Sequence, residues 1–148
     1  MSEEVGPVEL AQVERYEFTV EFPATSLPKL TVDEPAPVGR GAGPDPVRTL
    51  AMAIGHCMSS TFFHSLDRAR VPVGPIRTSV LATVGPNERG RRRVQALHVE
   101  IRTQPLHEED RPRFDQCVAI FADYCTVSGA VREGIPIASD VRPPDAPA

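Results

Sequence analysis

The features this 148-residue chain lacks narrow its identity before anything present is weighed. It has no apolar run long enough to cross a bilayer. The longest such stretch, within residues 46–70, is broken by histidines and serines and falls short of the roughly 20 apolar residues a span needs. It has no surplus of positive charge either. With 16 Lys and Arg against 20 Asp and Glu, net charge −4, no face can neutralise a row of phosphates, which argues against nucleic acid as a partner. The one basic cluster, Arg89, Arg91, Arg92 and Arg93, flanks Asn87 and Gly90, and is read as a solvated hairpin tip in preference to a phosphate site. The acidic opening MSEEVGPVEL has no apolar core followed by a cleavage site, so a secretory signal is not expected and the cytoplasm is. Three cysteines, Cys57, Cys117 and Cys125, are too few for a disulfide framework in a reducing compartment. Neither they nor the histidines show CxxC or HxxxH spacing, and no metal, cofactor or membrane partner is expected. No internal repeat is visible.

Proline is what the chain has in excess, 16 residues, clustered between Pro23 and Pro46 and again in the tail after residue 142, where it marks loops. Hydrophobic content of 41% supports one core, hence a single domain over 1–142 and a disordered proline-rich tail over 143–148. Residues 46–70, PVRTLAMAIGHCMSSTFFHSLDRAR, organise the rest. Asp45 is an N-cap, Pro46 suits the first helical turn, and Pro72 forbids continuation, so this is a helix. It is apolar enough that protein is expected to cover most of its circumference. Cys57 shares a face with Leu50, Ala53, Ile54, Ser60, Thr61 and His64. A thiol among such neighbours has two readings, a small packed hydrophobe or a nucleophile with room for a substrate beside it. His64, two turns on, reads as a base or as a hydrogen-bonded core residue, and His56 as packed against the sheet or a partner subunit.

Around that helix the periodicity predicts strands. Residues 1–10 lack it and are expected to fray, whereas Val13–Phe22 alternates cleanly, with Tyr16, Phe18, Val20 and Phe22 on one face. Leu30 and Val32 begin a second strand. Residues 76–84 and about 92–102 form a hairpin about PNERG, with Ile76, Val80, Ala82 and Val84 inward and a bulge near Gln95 and Ala96. A second helix is predicted over 108–124 with Phe114, Cys117, Val118, Phe121 and Tyr124 or Cys125 on its inner face. A short helix over 129–133, ended by Gly134, and a last strand over 135–141 complete the chain. The order makes an α+β domain, and the excess apolar surface of the long helix favours a homodimer.

GPDPVRTLAMAIGHCMSS resembles the first cysteine helix of the OsmC/Ohr proteins, and FADYCTVSGAVREGIPI resembles their second cysteine segment. The resemblance spans residues 11–142. It implies an intertwined α+β homodimer with curved antiparallel sheets around two central cysteine-bearing helices. It also implies a thiol peroxidase acting on organic hydroperoxides and regenerated by an external dithiol. Cys57 matches the peroxidatic position, Cys125 the resolving one, and Arg40 is the best match for the activating arginine. Ile54, Thr61, His64 and Phe121 are the candidate substrate-binding residues. Cys117, among apolar helix neighbours, is read as inert. One departure stands out: where the family holds its arginine with a glutamate shortly after the loop proline, this chain has Val47 and Arg48. Asp45 sits on the wrong side of Pro46 and has an N-cap to make. The same fold without an activated thiol would be a binding protein with a hydrophobic ligand at the dimer interface.

Overall fold

The computed structural model describes residues 1–144, and these divide into two compact units, Met1–His56 with Arg77–Arg102, and Cys57–Ile76 with residues 103–144. Pro147 and the rest of the expected tail past residue 144 lie outside the described residues.

In the first unit, strands β1 (Glu9–Glu14), β2 (Glu17–Glu21) and β3 (Leu30–Val32) form an antiparallel sheet in the order β1-β2-β3. Leu10 pairs with Val20, and Val20 in turn with Leu30. This corrects the expectation of one strand over 13–22, and at Glu9 and Leu10 that of a frayed start; residues 1–8 form no element. The alternating stretch is cut by a two-residue turn, Arg15–Tyr16, in which Arg15 has φ 51, and residues before it return as β1. The turn lacks the Asn-Gly or Asp-Gly signature that makes hairpins legible, and every residue of β1 is exposed. Its pairing comes from ladder hydrogen bonds to β2, which leave no apolar period behind.

Helix α1 (Pro46–Arg68) begins as its termini dictate. The Asp45 carboxylate accepts the Arg48 N–H at 2.8 Å, and the Asp45 carbonyl accepts the Thr49 N–H at 2.9 Å. Strands β4 (Arg77–Pro86) and β5 (Arg92–Arg102) pair with Val80 opposite Val99 and Ala82 opposite Leu97. The ladder steps from Thr83–Ala96 to Val84–Val94, leaving Gln95 as the extra residue of a bulge. At Gly55 a Cβ would stand 2.7 Å from Val80 Cγ2, so the glycine is what lets α1 lie against β4. Val80, Ala82 and Val84 are half-buried and Leu81 is exposed, the faces that alternation predicts.

In the second unit the later turns of α1 carry Phe62 and Leu66, the latter 0% exposed. The Phe62 ring meets Phe114 edge-on at 5.7 Å and Phe121 at 4.9 Å. Past the helix end, the guanidinium of Arg113 donates to the Ala69 carbonyl at 2.9 Å and pairs with buried Asp110. The helix expected over 108–124 is three pieces: a 3-10 turn at Glu108–Asp110, α2 (Arg111–Ile120) and a 3-10 turn at Phe121–Tyr124. Of the expected inner face, Cys117 and Cys125 are buried and Phe114 and Phe121 half-buried, whereas Val118 is exposed; of the pair Tyr124 or Cys125, the 3-10 turn brings Cys125 inward. Helix α3 then runs Thr126–Glu133, three residues earlier than expected at its start, and Gly134 at φ 83 follows it.

The strand expected over 135–141 is not one. Among the described residues no strand edge pairs with this segment, Pro136 has no N–H to offer, and Ile135, Ile137 and Val141 are exposed. The covering expected around α1 is also incomplete within this chain. Met52, Ala53, His56, Ser60, Phe63 and His64 are exposed, because only one side of the helix is packed.

Candidate functional site

Two thiols 68 residues apart in sequence meet in the second unit. The Cys125 S–H donates to Cys57 Sγ at 3.0 Å. Both thiols are free, and an S–S bond of ~2.05 Å would need an approach of about 1 Å. Helix α1 supplies Cys57 and, one turn on, Thr61, whose hydroxyl donates to the Cys57 carbonyl at 2.9 Å. The 3-10 turn ends in Cys125 with extended backbone, φ −77 and ψ 108, which places it as the N-cap of α3. Cys125 is 2% exposed, and Cys57 is half-buried.

Burial pushes the Cys125 thiol up. The Ser128 hydroxyl, the Cys57 thiol, the Ser128 N–H and the Thr61 hydroxyl together outweigh it, and the net displacement is below the usual thiol range. Ser128 is 4% exposed, and its Oγ makes no hydrogen bond of ordinary geometry, so the Cys125 sulfur is the group it bears on. Sequence reasoning missed Ser128. Its signal was its place as the serine of the second cysteine segment, three residues after Cys125, which is the N3 position once Cys125 is known to cap. Cys117 is apart from this pair: it is buried and its thiol donates to the Ser65 carbonyl at 3.4 Å.

The other candidates fall elsewhere. Thr61 is beside the thiols as described. Phe121 spends its ring on Phe62. His64 and His56 are exposed, so His64 is not a core residue of this chain and His56 is not packed against its sheet. Ile54 is a core side chain of the first unit, 3% exposed.

Arg40 also belongs to the first unit, in a loop built on Asp33. The Asp33 carboxylate, 3% exposed, accepts N–H groups from Glu34 at 2.8 Å, Arg40 at 3.2 Å and Ala42 at 3.1 Å. The Ala42 N–H leads in holding this carboxyl below its ordinary value, against the opposing effect of burial. Gly39 and Gly43 are required here, since a Cβ would come 2.2 Å from the Glu34 carbonyl oxygen and 2.0 Å from that of Thr31. The Arg40 guanidinium is held by Glu17 of β2, with its Nε donating to Oε2 at 2.8 Å, and Glu14 stands 3.6 Å away. Arg40 therefore does not lack a carboxylate. Glu17 comes from a strand 23 residues earlier, where a search near the loop proline could not find it. Asp45 is occupied by its cap and by Arg48, as its position suggests.

Among the described residues no group of three or more His, Cys, Asp and Glu converges as a metal site would, and no helix is long and apolar enough to cross a membrane.

The profile described as OsmC-like protein matches residues 39–140. No curated protein sequence matches significantly. Among solved structures, an OsmC-like protein of unknown function from Vibrio cholerae is 16% identical, with TM-score 0.69 over 88% of this chain and 94% of that one. A Vibrio cholerae protein described as an organic hydroperoxide resistance protein, with captopril bound in one of its active sites, is 23% identical. Its TM-score is 0.62 over 88% of this chain and 87% of that one. The organic hydroperoxide resistance protein OhrB of Bacillus subtilis is 14% identical, with TM-score 0.63 over 87% of this chain and 91% of that one. At these identities the structural likeness shows an α+β fold in common, with antiparallel sheets and intervening helices. With the profile spanning most of its length and the fold agreeing, the chain belongs to the OsmC-like protein family.

Proposed function

We propose that this protein is a thiol-dependent peroxidase that reduces organic hydroperoxides with Cys57 and Cys125 and is regenerated by an external dithiol. The observation that carries the reading is the 3.0 Å separation of the two sulfurs. The Cys57 thiolate attacks the terminal peroxide oxygen, the O–O bond breaks, and the alkoxide leaves as the alcohol after taking a proton. Cys57 is then a sulfenic acid. Cys125 attacks its sulfur, the hydroxyl departs with a proton as water, and a disulfide remains for the dithiol to reduce. Family neighbours named for organic hydroperoxide resistance support the substrate class. Arg40 is proposed as the activating cation, with Glu17 holding it. The cytoplasm, which keeps external dithiols reduced, suits the cycle.

Consumption of cumene hydroperoxide in the presence of dithiothreitol tests the proposal directly, with peptide mapping expected to find Cys57 linked to Cys125 after one equivalent of peroxide. A link from Cys57 to Cys117, or no peroxide consumed, sinks it. Arg40→Met is expected to slow consumption, and an unchanged rate removes that residue from the mechanism.

Two further features bear on partners. The exposed Met52, Phe63, Ile135 and Ile137 support a homodimer, which sedimentation at micromolar concentration tests. In the first unit an apolar hollow of about 610 Å³, lined by Leu10, Phe18, Val20, Val32, Leu50 and Ala53, supports the second reading, a hydrophobic-ligand binder. Binding of a fluorescent apolar probe together with an inert Cys57 at neutral pH would favour it over the peroxidase.

A further inference from the structure

The two thiols are unlike, and the difference is built into the start of α3. Cys125 is the N-cap of that helix, so the free N–H groups of the first turn and their partial positive charge lie toward it. Ser128, at the third position of the helix, adds a hydroxyl that is buried and without a hydrogen-bond partner. A native structure rarely leaves such a group unsatisfied. A neutral thiol is a poor acceptor and a thiolate a good one, so the idle hydroxyl marks where negative charge settles once the chemistry produces it. Cys57 lies in the middle of α1, away from any helix N-terminus, and is the more open of the two, half-buried where Cys125 is 2% exposed.

We propose that Ser128 and the first turn of α3 make Cys125 the leaving thiolate of the Cys57–Cys125 disulfide, so that the external dithiol attacks the sulfur of Cys57. The inference rests on the two-cysteine reading and specifies the direction of its last step. The attacking thiolate forms a bond to Cys57 Sγ, the Cys57–Cys125 bond breaks, and its electron pair leaves on Cys125 Sγ. The second thiol of the dithiol then gives up its proton and displaces Cys57, which takes a proton, and the reductant departs as its own disulfide. Cys125 takes its proton from solvent. Two electrons pass from the dithiol to the protein pair. Exchange is faster when the departing thiolate is better stabilised and the attacked sulfur more accessible; the Ser128 hydroxyl and the α3 N-terminus at Cys125, and the openness of Cys57, favour this direction. The downward displacement of the Cys125 thiol has the same cause.

The test starts from the full-length protein oxidised with diamide, so that the disulfide is made without a hydroperoxide. A brief exposure to glutathione, acid quenching and peptide mapping locate the mixed disulfide. Glutathione on Cys57, roughly tenfold or more over Cys125, is expected. Glutathione on Cys125, or failure of diamide to link the two residues, overturns the proposal. In Ser128→Ala, reduction of the same disulfide by dithiothreitol should slow roughly three- to tenfold, with Ser128→Thr recovering most of the rate. The thiolate absorbance of Cys125, titrated in a Cys57→Ser background, should move to higher pH in Ser128→Ala, a shift that a purely structural role would not produce. A wild-type reduction rate in Ser128→Ala also counts against the proposal. Hydroperoxide turnover is measured separately, so a protein that consumes no peroxide but reduces its disulfide in this direction loses the peroxidase reading alone.

Discussion

The loop around Asp33 and the pocket around Cys125 are both buried polar sites, and they are satisfied to opposite degrees. Asp33 accepts three backbone N–H groups, and Arg40 on the same loop is held by Glu17 and Glu14. Ser128, by contrast, is buried beside the Cys125 sulfur with no hydrogen-bond partner for its hydroxyl. A saturated network gives one rigid conformation. A site short of an acceptor is one whose complement arrives with a change of charge, which is what a reacting thiol supplies.

The comparison breaks most sharply at the thiols. Cys57→Ser is expected to lower hydroperoxide consumption by about 100-fold or more, the order seen when a nucleophile is removed, with an unchanged circular dichroism spectrum. An active variant would move the chemistry away from this pair. Next in size is Leu66→Ala, which deletes a side chain that is 0% exposed in the unit holding the thiols. A loss of roughly 2–5 kcal/mol in chemical denaturation is expected.

The Asp33 loop should respond to pH where the thiol site does not. Because the folded Asp33 carboxyl sits below its ordinary value, the unfolded chain binds more protons near the carboxylate range. Its stabilising contribution is therefore complete above the unfolded pKa of ~3.9 and is lost as pH falls through the folded value. Asp33→Asn should lower the denaturation midpoint at pH 7 and flatten its fall toward pH 3. An unchanged acid dependence in this variant would remove Asp33 from the contacts that acid breaks. The smallest effect is expected at the helix start: Asp45→Ala removes the cap of α1 and should cost about 1 kcal/mol, read by urea denaturation.

Where the sequence was legible, the determining contacts were near neighbours. Pro46, Asp45 and Pro72 bracket α1, whose observed end at Arg68 falls within two residues of the reading. Alternation placed β5 at Arg92–Arg102, and the phase slip between Val94 and Leu97 located the bulge at Gln95. Where legibility failed, the contact was remote or the local pattern was uninformative. Strand β1 carries no buried face, the Arg15–Tyr16 turn carries no glycine, and the α2 segment tightens to 3-10 only where Phe121 turns toward Phe62.

The sequence by itself determined the helix that carries Cys57, the hairpin of β4 and β5, and the family, because periodicity, caps and motif spacing act over a few residues at a time. Only the tertiary structure decided that Cys57 and Cys125 stand 3.0 Å apart, that Glu17 is the carboxylate on Arg40, and that Ser128 is buried without a partner. Each of these joins groups through the packing of separate elements, or leaves a group unjoined because of it. Burial and hydrogen-bond geometry are properties of that packing and leave no mark in the order of the residues.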